Sequence, residues 1–175
     1  MKRKIIMASV LVLGAFITFI LLYLHFSAGW MYSCAITFGT FSYHLWMRLA
    51  VGYIMDGIMH NRADLTKSWY QPRKWEKPLY RLLRVKQWKQ HIPTFAPESF
   101  SPELHSWSEI AQAMCQSEIV HEIIMLLSFV PLLGAVPFGA FGVFLLTSVG
   151  AALTDSVFVI LQRYNRPRIM RLMNR

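Results

Sequence analysis

The stretch Phe158-Val159-Ile160-Leu161-Gln162-Arg163-Tyr164-Asn165-Arg166-Pro167-Arg168 passes from an apolar run into a cluster of arginines. Such a boundary is typical of a transmembrane helix end on the cytoplasmic side, where arginines reach the lipid headgroups. An anchor needs positive charge in any order. Here an asparagine stands between two arginines, and a proline that we expect to end the helix follows. The stretch 162–168 therefore predicts an anchor that also holds a polar group of fixed shape.

The composition of the whole chain points to a membrane protein. Hydrophobic residues make up 55% of its 175 residues and charged residues 15%, whereas soluble domains carry about 25% charged residues. A bilayer span takes about 20 apolar residues. We predict an all-α membrane protein, a single domain over residues 1–175, with four transmembrane helices. The predicted spans are residues 5–25, 30–55, 118–135 and 138–161.

The first apolar block follows Lys2-Arg3-Lys4, as a signal peptide would. It is longer than a typical signal-peptide core, and no convincing cleavage site follows, so we expect a retained helix. The turns at 27–29 and 134–137 lack Lys and Arg, whereas both chain ends and the segment 61–117 are rich in them. The positive-inside rule then predicts that both termini and this segment are cytoplasmic. The net charge is +9. Because the basic residues lie beside predicted spans and do not form a soluble basic face, they do not indicate a nucleic-acid partner.

The cytoplasmic segment 61–117 is too polar to span a membrane and too rich in aromatic residues to be a simple linker. Between Arg73 and Ile92 it predicts an amphipathic helix in the headgroup plane. The apolar face of that helix is Trp75, Leu79, Leu82 and Leu83. Prolines from Pro93 onward predict a loop, and Ser108 predicts a helix start that leads into the third span. The segment either anchors to anionic lipids or binds substrate, and the sequence leaves both open.

Ionisable residues inside spans are costly and are candidates for function. Those predicted to lie in the cytoplasmic half of the membrane are His44, Arg48, Glu118, His121, Glu122 and Asp155. Glu118 and His121 are three residues apart and share a helix face. A carboxylate beside an imidazole orients it and raises its basicity, as a general base requires. The alternative is an interfacial pair without chemistry, and Glu122 is expected only to cap a helix or pair with Arg48.

Two rival chemistries are weaker. Cys115 has no feature that marks an activated thiol, so we expect a small apolar residue there. A metal site would use Glu118, His121 and His44 with Asp155 or Glu122. A di-iron bundle needs two Glu-x-x-His motifs, and the chain has one. We therefore assign no metal ligand.

The ending Leu161-Gln162-Arg163-Tyr164-Asn165-Arg166-Pro167-Arg168-Ile169 resembles that of the glycosyl-4,4'-diaponeurosporenoate acyltransferases, bacterial membrane proteins of the staphyloxanthin pathway. So do Glu118-Ile119-Val120-His121 and the pattern Trp75-Glu76, Tyr80 and Val85-Lys86-Gln87-Trp88-Lys89, so that the resemblance covers about residues 60–172. It implies transfer of a fatty acyl chain to a hydroxyl of a membrane-bound acceptor, in that pathway a glycosylated carotenoid. It also implies a multi-pass bacterial cell-membrane protein.

On these grounds we expect His121, oriented by Glu118, to take the proton of an acceptor hydroxyl or amine at the cytoplasmic leaflet. The residues predicted to bind substrate are His44, Arg48, Trp75, Lys86, Trp88, Lys89, Arg163, Tyr164, Asn165 and Arg166. No cofactor is expected. The acyl donor, such as acyl-CoA, acyl carrier protein or a phospholipid, is a co-substrate, and the partners are membrane lipids and a lipid or glycolipid acceptor. The alternative from another class is a non-catalytic factor that binds lipid or scaffolds a partner enzyme.

Overall fold

The computed structural model describes residues 2–92 and 96–173, and every regular element within them is helical. The α-helices are α1 Lys2–Phe26, α2 Gly29–Met59, α3 Glu76–Leu82, α4 Val85–Trp88, α5 Trp107–Leu127, α6 Ala135–Phe138 and α7 Phe141–Met173. Short 3-10 helices lie at Ser68–Tyr70, Lys89–His91, Pro97–Phe100 and Val130–Gly134. The predicted all-α class is confirmed. Pro93, predicted to open the central loop, lies outside the described residues.

Several helix ends are marked by residues in the left-handed region of backbone space. Ser27, Arg84 and Ala140 have φ angles of 54°, 51° and 51°, and His60 and Asn61 have 49° and 55°. A side chain disfavours this conformation, so a helix does not continue through it. These residues divide the chain into its separate helices.

Three stretches are long and apolar enough to cross a membrane by length and composition: Arg3–Phe26, Trp107–Phe138 and Phe141–Met173. They correspond to the first, third and fourth predicted spans. Helix α2 is not among them, although it has 31 residues. Its Ser, Thr, Tyr and Trp residues, together with His44 and Arg48, lower its mean hydropathy. The chain is thus compatible with a membrane protein with three candidate spans, and the fourth is not established.

Helix α7 does not stop at the arginine-rich stretch. It runs through Pro167 to Met173, so the prediction that Pro167 ends the helix is wrong. Proline removes one backbone hydrogen bond from a helix. Here Arg163 and Arg166 bind partners outside α7. These contacts hold the surrounding turns in place, and tertiary contacts of this kind override local propensity.

The central segment is helical only in short pieces, so the continuous helix predicted from Arg73 to Ile92 is wrong. Arg84 in the left-handed conformation separates α3 from α4, and the Trp88 indole nitrogen donates to the Leu83 carbonyl across the break at 2.9 Å. Helix α5 continues into the third span region as predicted, but its start is capped by Ser106, not Ser108. In this capping box the backbone N–H and hydroxyl of Ser106 donate to Oε2 of Glu109, and the backbone N–H of Glu109 donates to the Ser106 hydroxyl oxygen.

The chain forms two compact units. The first comprises Met1–Val51 and Ile123–Thr154, and the second comprises Gly52–Glu122 and Asp155–Arg175. In the first, Phe19 and Phe38 stack with ring centroids 5.4 Å apart, and the Tyr43 hydroxyl donates to the Leu127 carbonyl at 2.9 Å. The predicted site residues His44 and Arg48 belong to the first unit. The other predicted site residues all belong to the second.

Candidate active site

A histidine–carboxylate pair joins α5 and α7 within the second unit. Nδ1 of His121 lies 2.8 Å from Oδ1 of Asp155. The Asp155 side chain is only 2% exposed, whereas the His121 side chain retains 21% exposure. An ionised carboxylate only accepts hydrogen bonds, so in the neutral ring Nδ1 carries the hydrogen and Nε2 the lone pair. Asp155 thereby fixes both the tautomer and the direction of the imidazole.

The same face of α7 also holds the flat side of the His121 ring. Phe158, one turn after Asp155, stacks on it with centroids 4.6 Å apart and planes 9° from parallel. Hydrogen bond and stacking together leave the ring little rotational freedom. Within residues 2–92 and 96–173, no hydrogen bond engages Nε2 of His121. The second nitrogen is thus available to a substrate proton.

Glu118 does not contact His121 in the way that the sequence predicts. Its Oε1 accepts from Nη1 of Arg163 at 2.5 Å, and its Oε2 accepts from Nη1 of Arg166. The side chain is fully buried. Two guanidinium groups attract the carboxylate more strongly than a neutral imidazole would. The predicted Glu118–His121 pairing is therefore wrong, and Asp155 takes the place of Glu118 beside the histidine.

Arg163 uses all five of its N–H groups inside the protein. Besides Glu118, its guanidinium donates to Oε1 of Glu76 from Nε at 2.9 Å and from Nη2 at 2.6 Å. The remaining donors reach the backbone carbonyls of Trp69 at 3.0 Å and Gln71 at 3.2 Å. A planar five-donor fork suits such a set of acceptors. Arg163 thereby ties α7 to both α5 and the segment 69–76.

Arg166 is buried almost completely, at 2% exposure. In addition to Glu118, it donates from Nη2 to the Tyr70 carbonyl at 2.5 Å, and its Nη1 lies 3.6 Å from the Cys115 sulfur. Its guanidinium carbon is 5.3 Å from the centre of the Tyr70 ring, within the range of a cation–π contact. A phosphate or carrier group would have to displace these partners in order to bind Arg166.

We call Glu76, Glu118, Arg163 and Arg166 the arginine network. It contains two carboxylates and two guanidinium groups, so its formal charge is zero. Buried charged groups are stable only when each is paired with an opposite charge. The Tyr80 hydroxyl completes it by donating to Oε2 of Glu76 at 3.0 Å. Burial, then the hydrogen bond to Glu76, raise the pKa of Tyr80 well above its ordinary value.

A second group of predicted residues surrounds the ring of Tyr164. The Lys89 ammonium lies 5.2 Å from the ring centre and the Arg168 guanidinium carbon 4.8 Å, while the Tyr80 ring meets it edge-on at 5.5 Å. Lys89 also donates to the Asn165 side-chain oxygen at 2.9 Å. Burial and the nearby Arg168 lower the pKa of Lys89. This cationic and aromatic surface is partly open to solvent.

The other predicted binding residues are more dispersed. Trp75 is 56% exposed, Lys86 is exposed, and Trp88 binds the backbone of Leu83. In the first unit, Arg48 lies within 3.4 Å of two backbone carbonyls, those of His44 and Ala151. Roles for these residues in substrate binding stay predictions.

Sequence reasoning missed the contribution of Glu76 and underrated two other acids. Glu76 stands in a stretch of basic residues and predicted no partner, yet it is 2% exposed. Glu122 accepts from the Trp69 indole nitrogen at 3.0 Å and does not merely cap a helix. Asp155, considered by its depth and as a possible metal ligand, lies eight residues before Arg163, close to two helical turns. That spacing is the signal that places both on one side of α7.

A metal has no evident ligand set in the part of the chain that the structure describes, where no three His, Cys, Asp or Glu side chains cluster suitably. The residues considered for a metal site are divided between other contacts. Glu118 binds two arginines, and Asp155 binds His121.

Comparison with known proteins assigns the family. The model of the family CrtO, glycosyl-4,4'-diaponeurosporenoate acyltransferase, matches residues 66–175, more than half of the chain. The matched range contains the His121–Asp155 pair and the whole arginine network. No curated protein and no solved structure matches the chain. The family is one of acyltransferases of a carotenoid pathway. The chain therefore belongs to the glycosyl-4,4'-diaponeurosporenoate acyltransferase family.

Proposed function

We propose that the protein transfers a fatty acyl chain to a hydroxyl or amine of a membrane-bound acceptor, with His121 as the general base. The observation that carries this proposal is the 2.8 Å contact between Nδ1 of His121 and Asp155. It leaves Nε2 as the only ring nitrogen able to accept a proton. In this account Asp155 replaces Glu118 as the group that orients the base.

The chemistry needs one proton to move out and one to return. Nε2 of His121 removes the proton of the acceptor hydroxyl as its oxygen attacks the acyl carbonyl of the donor. The resulting imidazolium is stabilised by the negative charge of Asp155. When the tetrahedral intermediate collapses, the bond between the carbonyl carbon and the donor's sulfur or oxygen breaks, and His121 returns the proton to that leaving group. The ester product forms without a redox step or cofactor.

The two arginines of the ending play a structural part in this proposal. Their donors are taken by Glu76, Glu118 and backbone carbonyls, which supports a framework that fixes α5 against α7. Substrate contacts fall instead to the surface around Tyr164, with Asn165, Lys89 and Trp88, and to Trp75 and Lys86. For His44 and Arg48 a role in substrate binding stays a prediction. The donor is an acyl thioester or a phospholipid.

The proposed membrane topology adds one span to the three candidate spans. We propose α2 as a fourth span, so that both termini and the segment 61–117 face the cytoplasm of a bacterial cell membrane. Large apolar side chains of the second unit support contact with a lipid surface. Trp69, Trp75 and Leu82 are 50%, 56% and 80% exposed, and they belong to a segment that also carries many Lys and Arg residues. A glycosylated carotenoid is the acceptor that the family name suggests.

The direct test uses purified full-length protein in lipid nanodiscs, a radiolabelled acyl donor and a lipid extract as acceptor. His121→Ala should lower the rate of transfer by about 10²-fold or more, the usual contribution of a general base. The matched control is His105→Ala, because His105 also lies near a carboxylate, Glu109 at 4.0 Å, but on the exposed surface. Its transfer rate should equal that of the unaltered protein.

Mass spectrometry of the products identifies the acceptor as the species that gains one acyl chain. Transfer by His121→Ala at the unaltered rate would overturn the proposal. If no donor and acceptor pair supports turnover, while changes in exposed aromatic residues such as Trp75 abolish function in cells, a non-catalytic lipid-binding or scaffolding factor is the better account.

A further inference from the structure

A surface pocket that the proposed mechanism does not use lies at the end of α2. The loop that follows Met59 and the 3-10 helix at Ser68–Tyr70 border an open cavity of about 670 Å³. Small-molecule sites commonly have volumes of about 300 to 1,000 Å³. Its polar lining includes His60, Arg62, Asp64 and Lys67. We call it the loop-60 pocket.

The charge of the loop-60 pocket favours an anion. Arg62 and Lys67 are exposed, and no ion pair of the described residues 2–92 and 96–173 involves either. The single acid, Asp64, already accepts hydrogen bonds from the Thr66 backbone N–H at 2.9 Å and hydroxyl at 2.6 Å. Both bonds end on Oδ1 of Asp64, and together with a smaller contribution from the nearby Lys67 they lower the pKa of this carboxyl group. The lining thus carries two cations, a histidine and a single carboxylate, and this excess of positive charge favours an anion.

The backbone of the pocket is strained and is held by the helix that carries His121. His60 and Asn61 both have left-handed φ angles, 49° and 55°, which cost energy for residues other than glycine. The Asn61 N–H donates to the Gln116 side-chain oxygen at 2.6 Å, and Gln116 also donates to Asp56 at 3.2 Å. Strain that is held by side-chain hydrogen bonds is typical of functional loops.

The same contacts connect the pocket to the helix that carries the candidate base. Gln116 lies five residues before His121 on α5, about 7.5 Å along the helix axis at 1.5 Å per residue. Tyr70 lines the pocket, and its backbone carbonyl accepts from Arg166 of the arginine network. All of these residues belong to the second unit. The pocket and the base are therefore connected through α5 within one compact unit.

We propose that the loop-60 pocket binds the phosphate-bearing part of the acyl donor, with Arg62 and Lys67 as the contacts to the phosphate oxygens. A guanidinium group and an ammonium group are the side chains that form charge-assisted hydrogen bonds with phosphate. This inference rests on the proposed function, because it assigns the donor of that reaction. A phosphate of this kind occurs in a soluble thioester carrier and in a phospholipid headgroup.

Binding measurements distinguish the two sources. Full-length protein in a neutral glycoside detergent and phosphate-free buffer is titrated by calorimetry with coenzyme A and, separately, with short-chain dihexanoyl phosphatidylglycerol. At least one should bind, and the double variant Arg62→Glu/Lys67→Glu should weaken it by about tenfold or more, because both charge-assisted contacts are lost and the charge is reversed. Coenzyme A as the ligand indicates a soluble carrier, and the phospholipid indicates a lipid donor.

The matched control is Lys74→Glu/Lys77→Glu, which changes the net charge equally at exposed positions of the same segment outside the pocket. It should bind as the unaltered protein does. The pocket proposal would be overturned if binding were weakened equally in both double variants, or if neither compound bound the unaltered protein. Binding does not require turnover, so the binding measurement and the transfer rate of His121→Ala test the pocket and the proposed function separately. If transfer depends on His121 but Arg62→Glu/Lys67→Glu binds as the unaltered protein does, only the pocket proposal is wrong.

Discussion

Glu118 and Asp155 are both buried carboxylates of the second unit, on neighbouring helices, yet their surroundings differ. Glu118 has one guanidinium group on each oxygen, and each of those groups is itself held by backbone carbonyls. Asp155 holds a histidine that keeps 21% exposure and whose second ring nitrogen makes no hydrogen bond within residues 2–92 and 96–173. The first arrangement is closed and contributes to structure. The second leaves a basic atom open to a substrate, which is what proton transfer requires.

The largest expected effect comes from changing Asp155, the carboxylate that holds the accessible histidine. Asp155→Asn should lower kcat by about 10²-fold or more with little change in KM, because the amide can bind the wrong tautomer of His121. Asp155 is a positioning residue, so a split between kcat and KM is the informative readout of steady-state transfer.

A surface carboxylate provides the control for that experiment. Glu109→Gln alters the partner of His105, which lies 4.0 Å away on the exposed side, and should leave both constants unchanged. If Asp155→Asn raises KM and leaves kcat unchanged, the aspartate contributes to substrate binding and not to the base.

Changes in the arginine network around Glu118 should lower the free energy of unfolding. Arg166→Met removes one partner of a buried ion pair and leaves the Tyr70 carbonyl and one Glu118 oxygen unpaired, at a cost of about 3 kcal/mol or more. Thermal unfolding in nanodiscs measures the loss. Arg171→Met is the control, because the Arg171 side chain is exposed and, among the residues that the structure describes, binds only the Pro167 carbonyl of its own helix, at 3.2 Å. An unchanged unfolding temperature in Arg166→Met would show that the network does not support the fold.

A smaller, pH-dependent effect is expected from Tyr80. Its pKa is raised above the ordinary 10.0 in the folded protein by burial and the hydrogen bond to Glu76. The unfolded chain therefore loses this proton at lower pH, and the stabilisation, complete below pH 10, is lost as pH rises further. Tyr80→Phe should make the alkaline fall of the unfolding temperature shallower, while costing about 1 kcal/mol at neutral pH.

Tyr53→Phe serves as the control for Tyr80, because its side chain is 65% exposed. It should leave the alkaline fall as steep as in the unaltered protein. Parallel curves for Tyr80→Phe and the unaltered protein would contradict the assigned role of this hydroxyl.

The sequence predicted what depends on local pattern. Apolar blocks predicted the long helices, and depth in the membrane drew attention to six ionisable residues, of which Asp155 was not assigned to the predicted site. It did not predict which carboxylate meets which cation. Glu118 lies on the same helix face as His121, so spacing along one helix favoured that pair. The competing guanidinium groups come from α7, 45 and 48 residues away, and only tertiary structure brings them in.

The same reason explains the errors at Pro167 and Arg84. Local rules predicted a helix end at the proline and a continuous helix across Arg84. The helix continues past Pro167 while contacts made by Arg163 and Arg166 hold the turns around it. Arg84 adopts a left-handed conformation that its residue type does not favour. Neither outcome is encoded by neighbouring residues alone.

The most direct test of the central claim is the transfer rate per folded molecule of Glu118→Gln, measured beside His121→Ala at a temperature where both are folded. We predict that Glu118→Gln unfolds at a lower temperature but retains transfer within about threefold of the unaltered protein, while His121→Ala keeps its unfolding temperature and loses about 10²-fold or more. If Glu118→Gln keeps its unfolding temperature and loses transfer as His121→Ala does, then Glu118 takes part in the chemistry and the assignment of the two carboxylates is wrong.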